Sequence, residues 1–142
     1  MTTAPTTRTT MPTSTRQAAA RNRYVSDSVQ TLSPTRLVTM LYDRLVSELD
    51  RAEQAMRAGD LYGSNDGLVR AQSIVLELRA SLRTDAWAAG PKLAALYDFF
   101  VREIIQANVS RKPERIRAVR ELIEPLRDAW HAAAAQLLAE GT

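Results

Sequence analysis

The chain reads as all-α, an antiparallel up-down four-helix bundle, and three observations lead there. Four amphipathic stretches fill the 142-residue sequence from about residue 35 onward, with apolar residues alternately three and four apart, the spacing that turns one stripe of a helix toward a core. Helix breakers separate them: Gly59-Asp60 with Gly63-Ser64, then Gly90-Pro91, then Asn108 to Pro113. Connections this short fold neighbouring helices back on each other. Nowhere between the breakers do apolar and polar residues alternate with the period of two that a half-buried strand requires.

The first helix is expected over about 35 to 58. Ser33 can cap it, and Pro34 stands in the first turn, where a missing N–H breaks no hydrogen bond. Leu37, Leu41 and Leu45 (or Met40, Leu41 and Leu45) supply an inward stripe, and Val38, Tyr42 and Val46 supply a second about a third of a turn away. That is more apolar surface than one buried face uses, so the second stripe calls for a partner. The second helix, 64 to 83, turns Leu68, Ala71, Val75, Leu78 and Leu82 inward. The third, 91 to 109, does so with Leu93, Leu96, Tyr97, Phe100, Ile104 and Ala107, leaving Phe99, Val101 and Ile105 on other faces. In the fourth, 113 to 139, the seam runs through Ile116, Val119, Ile123, Leu126, Trp130, Ala133 and Leu137. Pro125 lies inside it and predicts a kink or a later helix start. Asn108 is read first as the C-terminal cap of the third helix, because Asn tolerates the left-handed turn that ends one.

Residues 1–22 are rich in Thr with Ala, Pro and Arg and have almost no large apolar group, so they are expected to form a disordered tail that cannot offset the entropy lost on ordering. Residues 23–142 are expected to be the helical domain. Tyr24, Val25 and Val29 make a short apolar patch at the junction, either lying over part of a groove in the free protein or bracing the bundle.

The formal net charge of +3 suggests a polyanionic partner until its location is considered. Arg8, Arg16, Arg21 and Arg23 are the only charges before Tyr24, and removing those four from the 19 basic residues leaves 15 against 16 acidic ones. Basic and acidic residues then alternate, including in the run Arg111, Lys112, Arg115, Arg117 and Arg120 with Glu114 and Glu121, so no nucleic-acid partner is expected. No window approaches the roughly 18 to 20 apolar residues of a membrane span, and none resembles a secretory signal. With no cysteine, the chain suits a reducing cytoplasm. His131 is the single histidine, and Asp128-x-x-His131 occurs once where a di-iron bundle needs paired Glu-x-x-His motifs. Ser33, Ser73 and Ser81 sit in no nucleophile motif. No catalytic, cofactor or metal site is expected, and the chain is not read as an enzyme.

A resemblance adds to this reading. Tyr24-x-x-x-Ser28-Val29-x-Thr31-x-Ser33-Pro34, then Leu37 and Met40-Leu41-Tyr42-Asp43, is similar to the N-terminal signature of the FliS family of flagellin export chaperones. Later blocks agree in order: Gly59-Asp60, Ala71-Gln72-Ser73-Ile74-Val75, Leu96-Tyr97-Asp98-Phe99-Phe100 leading to Ala107-Asn108, and Arg127-Asp128-Ala129-Trp130. The chain departs from the family in its long Thr-rich tail, in Leu32 where a small residue is common, and in Pro125. The resemblance implies a cytoplasmic helical bundle that binds the disordered C-terminal segment of flagellin, prevents its polymerisation and delivers it to the flagellar export gate. The expected groove residues are Tyr24, Val29, Val38, Tyr42 and Val46, with Val101, Ile105 and Asn108 on the third helix. A helical adaptor for an amphipathic segment of a different partner is the alternative. Either a monomer or a homodimer fits, since an exposed stripe is covered by a second copy as readily as by cargo.

Overall fold

The computed structural model describes Gln17, residues 33–82 and residues 88–141. The chain divides into two units, Met1–Ser33 and Pro34–Thr142, and the architecture is that of the second. The expected tail, together with Tyr24, Val25 and Val29, lies outside the described residues.

Four helices follow one another: α1 (Pro34–Arg57), α2 (Leu61–Ser81), α3 (Gly90–Ser110) and α4 (Pro113–Glu140). Pro34 opens α1 as its position in the sequence demands. The helix stops at Gly59, whose φ of 81° lies in the left-handed region that glycine enters without a Cβ clash. The Gly59 N–H donates to the Met56 carbonyl at 3.1 Å and the Asp60 N–H to the Ala55 carbonyl at 2.8 Å, the paired bonds of a Schellman ending. Helix α2 starts at Leu61, earlier than its glycines suggested, because the Asp60 carboxylate caps it by accepting the Gly63 N–H at 2.9 Å. Gly63 is therefore inside the first turn of a helix rather than a breaker.

Helix α3 ends in Arg111, with φ 54° and ψ 41°, whose N–H reaches the Ala107 carbonyl at 3.1 Å. The cap is thus Arg111, and Asn108 lies within the helix. Helix α4 begins at Pro113 and runs through Pro125 to Glu140 without interruption, so the later start does not occur.

Each helix packs against its neighbours in sequence, and α4 returns to α1 to close a ring. Side-chain pairs fix the directions. Glu48 meets Arg70 while Ala52 meets Gly67 across α1 and α2. Asn65 meets Asn108 while Arg79 meets Asp98 across α2 and α3. Asp43 meets His131 while Glu53 meets Arg120 across α1 and α4. In each case the numbers rise along one helix as they fall along the other, which is the antiparallel up-down arrangement. Gly67 serves the first of these seams, since a Cβ there would stand 3.2 Å from the Ala52 methyl.

The core differs from the expected one on α1. Tyr42 is 0% exposed and Val46 is buried with it, beside Leu41, Leu45 and Leu49. The two stripes form one broad buried face, because α1 sits in the angle between α2 and α4 and needs a wide face to cover both. Tyr42 also reaches across the ring, its hydroxyl 2.8 Å from that of Tyr97, with ring centroids 6.5 Å from both Tyr97 and Trp130. Burial lifts both phenols above their ordinary pKa, so each remains a neutral partner in this bond. The α2 and α3 stripes are buried as expected through Leu68, Ala71, Val75 and Leu78 and through Tyr97, Phe100, Ile104 and Ala107. On α4, Ile116, Val119 and Ile123 are buried, but Ala133 is exposed and Leu137 is 55% exposed.

Candidate functional site

With Tyr42 and Val46 in the core, exposed apolar side chains recur along the two flanks of α3, apart from Met40 on α1 and Leu137 and Leu138 at the end of α4. On the flank toward α2, two polar links fasten the helices at different levels: Asn108 Nδ2 donates to Asn65 Oδ1 at 2.8 Å, and Arg79 Nε donates to Asp98 Oδ1 at 3.0 Å. Outward from these links, Tyr62, Val69 and Leu76 recur every seven residues on α2 and are exposed, which places them in one line along the helix. Ile105 and Val109 are exposed on α3, and Val101 is half-buried. On α2 the residues interspersed along this line are Asn65, Asp66, Gln72 and Ser73, and the one charge among them, Asp66, is already paired with Arg70, so the track carries little unpaired charge that an apolar partner would have to desolvate.

The flank toward α4 is the thinnest seam of the ring. A cavity of about 340 Å³ opens there between Leu93, Leu96, Leu126 and Trp130, rimmed by Ala89 and Lys92. A second of about 180 Å³ lies against Leu93, Tyr97 and Trp130 on one side and Val38, Leu78 and Leu82 on the other. Leu93 and Trp130 line both, and Leu122 is exposed further along α4. Leu93 and Leu96 of α3 and Leu126 of α4 line this seam and make it apolar.

The seam between α1 and α4 has the opposite chemistry. Asp43, Asp50, Arg120, Glu124 and Arg127 line its cavity with Val46 and Ser47. His131 Nε2 and Asp43 Oδ1 stand 2.7 Å apart at one end. At the other end the Glu53 carboxylate, 0% exposed, is met by Arg120 Nη2 at 2.9 Å, Arg57 Nε at 2.9 Å and Arg117 Nε at 3.3 Å. Burial by itself would raise the Glu53 pKa, but the Arg120 and Arg57 hydrogen bonds and the field of Arg117 outweigh it and hold the carboxyl below its ordinary value. This seam is a structural ion network, already occupied by its own charges.

Of the residues that sequence pointed to, Val38 lines an apolar cavity, while Val101, Ile105 and Asn108 share the α2 flank of α3. Tyr42 and Val46 are in the core, and Tyr24 and Val29 are outside the described residues. The structure adds Tyr62, Val69, Leu76, Val109 and Leu122. The signal for three of them was present as a seven-residue repeat on α2 lying off that helix's own inward stripe.

Among the described residues no group of three or more His, Asp or Glu side chains could hold a metal ion, and no helix is long and apolar enough to cross a membrane. An all-α antiparallel bundle with apolar seams along one helix is the class of protein in hand. The same fold, with a TM-score of 0.68, is found in a crystal structure of a flagellar chaperone from bacteria, 23% identical in sequence, the match covering 84% of this chain and 98% of that one. The model of the FliS family, described as flagellar protein FliS, matches residues 16–137, and the chain belongs to that family. It is 31% identical over 110 residues to the flagellar secretion chaperone FliS of Bacillus subtilis strain 168, covering 78% of this chain and 82% of that protein. It is also 33% identical over 108 residues to the flagellar secretion chaperone FliS of Escherichia coli K12, covering 75% of this chain and 79% of that protein.

Proposed function

We propose that this protein is a cytoplasmic export chaperone that holds the disordered C-terminal segment of flagellin along both flanks of α3. In this reading it keeps flagellin from polymerising and supports its delivery to the flagellar export gate. The observation that carries the reading is the row of uncovered apolar side chains on either side of one helix, in a chain of the flagellar secretion chaperone family. A segment that folds as it binds can wrap such a track, burying on the order of 1,000 to 3,000 Å². At ~25 cal/mol per Å² of the apolar share, that burial outweighs the several kcal/mol lost in ordering the segment. The α1–α4 seam offers no comparable gain, because its charges would have to be desolvated.

The test is calorimetric titration with the C-terminal segment of flagellin from the same organism, at several temperatures. One-to-one binding with a negative heat-capacity change is expected. Ile105→Asp on one flank and Leu122→Asp on the other should each weaken binding by roughly tenfold or more, since each buries a charge against the cargo, with helicity unchanged because both side chains are exposed. Failure of the segment to bind at tens of micromolar would sink this reading and favour an adaptor for some other amphipathic segment.

A further inference from the structure

The α2 flank of α3 does not run off the molecule; it ends in a polar cavity. Passing Leu76, Val69 and Tyr62 on α2 and Ile105 and Val109 on α3, the track arrives where α2 begins and α3 ends. There a cavity of about 300 Å³ is lined by Leu61, Ser64, Asn65, Asn108, Val109 and Arg111. Val109, at 74% exposed, lines it, and Tyr62, next in sequence to the lining Leu61, is 83% exposed. Its floor carries the hydrogen-bonded Asn65–Asn108 pair, whose remaining amide donors and acceptors suit the main chain of a peptide.

The charge at this end is unbalanced. Along the bundle, Arg51, Arg57, Arg70, Arg79, Arg117, Arg120 and Arg127 meet carboxylates, while Arg44, Lys92 and Arg102 are scattered cations with no ion pair among the described residues. At the α3–α4 corner, Arg111, Lys112 and Arg115 make no ion pair among the described residues, with Glu114 the one acidic residue in the first turn of α4. The nearby carboxylates on α2 are engaged, Asp60 as the helix cap and Asp66 with Arg70. Arg111 is also the described non-glycine residue in the left-handed region, at φ 54°. Glycine is the ordinary occupant of such a helix ending, so this guanidinium is held at the cavity against a backbone preference.

We propose that this corner receives the free C-terminal carboxylate of a peptide bound along the α2–α3 track. Arg111 pairs with the carboxylate, the Asn65–Asn108 pair holds the last peptide units, and Tyr62 and Val109 cover the terminal apolar side chain. An acidic side chain in mid-segment would have to leave the track in both directions, whereas a chain end needs only to stop there. The inference rests on the cargo reading above and gives that cargo a polarity, with its last residue at the junction of α3 and α4.

The experiment compares two synthetic versions of the flagellin C-terminal segment, one ending in a free acid and one in an amide, titrated into the full-length protein. The amide should bind roughly 5- to 10-fold more weakly, having lost a charge-assisted contact. Arg111→Gly should erase the difference between the two peptides and, by relieving the left-handed strain, raise the thermal midpoint of the free protein. That opposite movement separates a lost contact from a damaged fold. Equal affinity of acid and amide for the unaltered protein overturns the proposal while leaving the cargo reading intact. Discrimination that survives Arg111→Gly also overturns it, and failure of both peptides to bind overturns the cargo reading and this one together.

Discussion

At the scale of single residues, Glu53 most clearly ties sequence to stability. It is an acidic residue on the buried face of α1, and burial without partners would be prohibitive for a carboxylate. Arg57 comes from the same helix a turn later, while Arg117 and Arg120 reach over from α4, so one buried charge fastens two helices. Its folded-state pKa lies below the unfolded value of 4.5. The network's contribution is therefore complete above that value and is lost as pH falls through the folded value. Glu53→Gln is expected to lower stability by about 1–3 kcal/mol at neutral pH, because the guanidiniums lose their counter-charge. It should also flatten the loss of stability below pH ~4.5, as urea denaturation across an acid pH series would reveal. Glu53 did not stand out in the sequence, and its partners Arg117 and Arg120 read there only as part of a solvated run of mixed charge. Charges at helical spacing look alike whether solvated or buried, and the two α4 arginines are separated from Glu53 by more than sixty positions.

At the scale of the helix, the breakers and the three-four periodicity set the elements well, and the misreadings share a cause. Periodicity ranks the faces of one helix, but it does not say how many neighbours that helix will have. Tyr42 and Val46 looked surplus for that reason, and they are core because α1 faces both α2 and α4. Leu137 looked buried for the converse reason. Trp130 is level with the first turn of α3, so the turns of α4 beyond it outrun their neighbour. Pro125 is a further element-scale cost: an exposed interior proline that removes a backbone donor and crowds the carbonyl of Glu121. Replacing it with alanine should restore that bond and raise stability by about 1–3 kcal/mol, read as a higher denaturation midpoint with an unchanged slope. An unchanged midpoint would mean that α4 already accommodates the ring without loss.

At the scale of the whole molecule, fold class and topology were legible because short connections and four apolar stripes admit few arrangements. The surface proposed for the partner was only half legible. Val101 and Ile105 were visible as residues left over from an inward stripe, while Asn108 read first as a helix cap, and the three share a flank of α3. The matching line on α2 went unread, since Tyr62, Val69 and Leu76 repeat once per heptad, too sparsely to register as a stripe. What makes these residues a track is the neighbouring helix, and that is a property of the assembled ring.

The ring also governs how quickly the protein gets into shape. Three of its four seams join helices adjacent in sequence, and only the seam of α1 with α4 brings together distant parts of the chain. Bundles dominated by such local contacts fold in microseconds to milliseconds. The hairpins close over short loops, and the entropy of the long closure is met once, at the last step. Stopped-flow or temperature-jump refolding should show a single fast phase, and a slow phase of seconds would contradict this order of events. A bundle built this way re-forms quickly after any loosening, because three of its four seams need no encounter between distant parts of the chain.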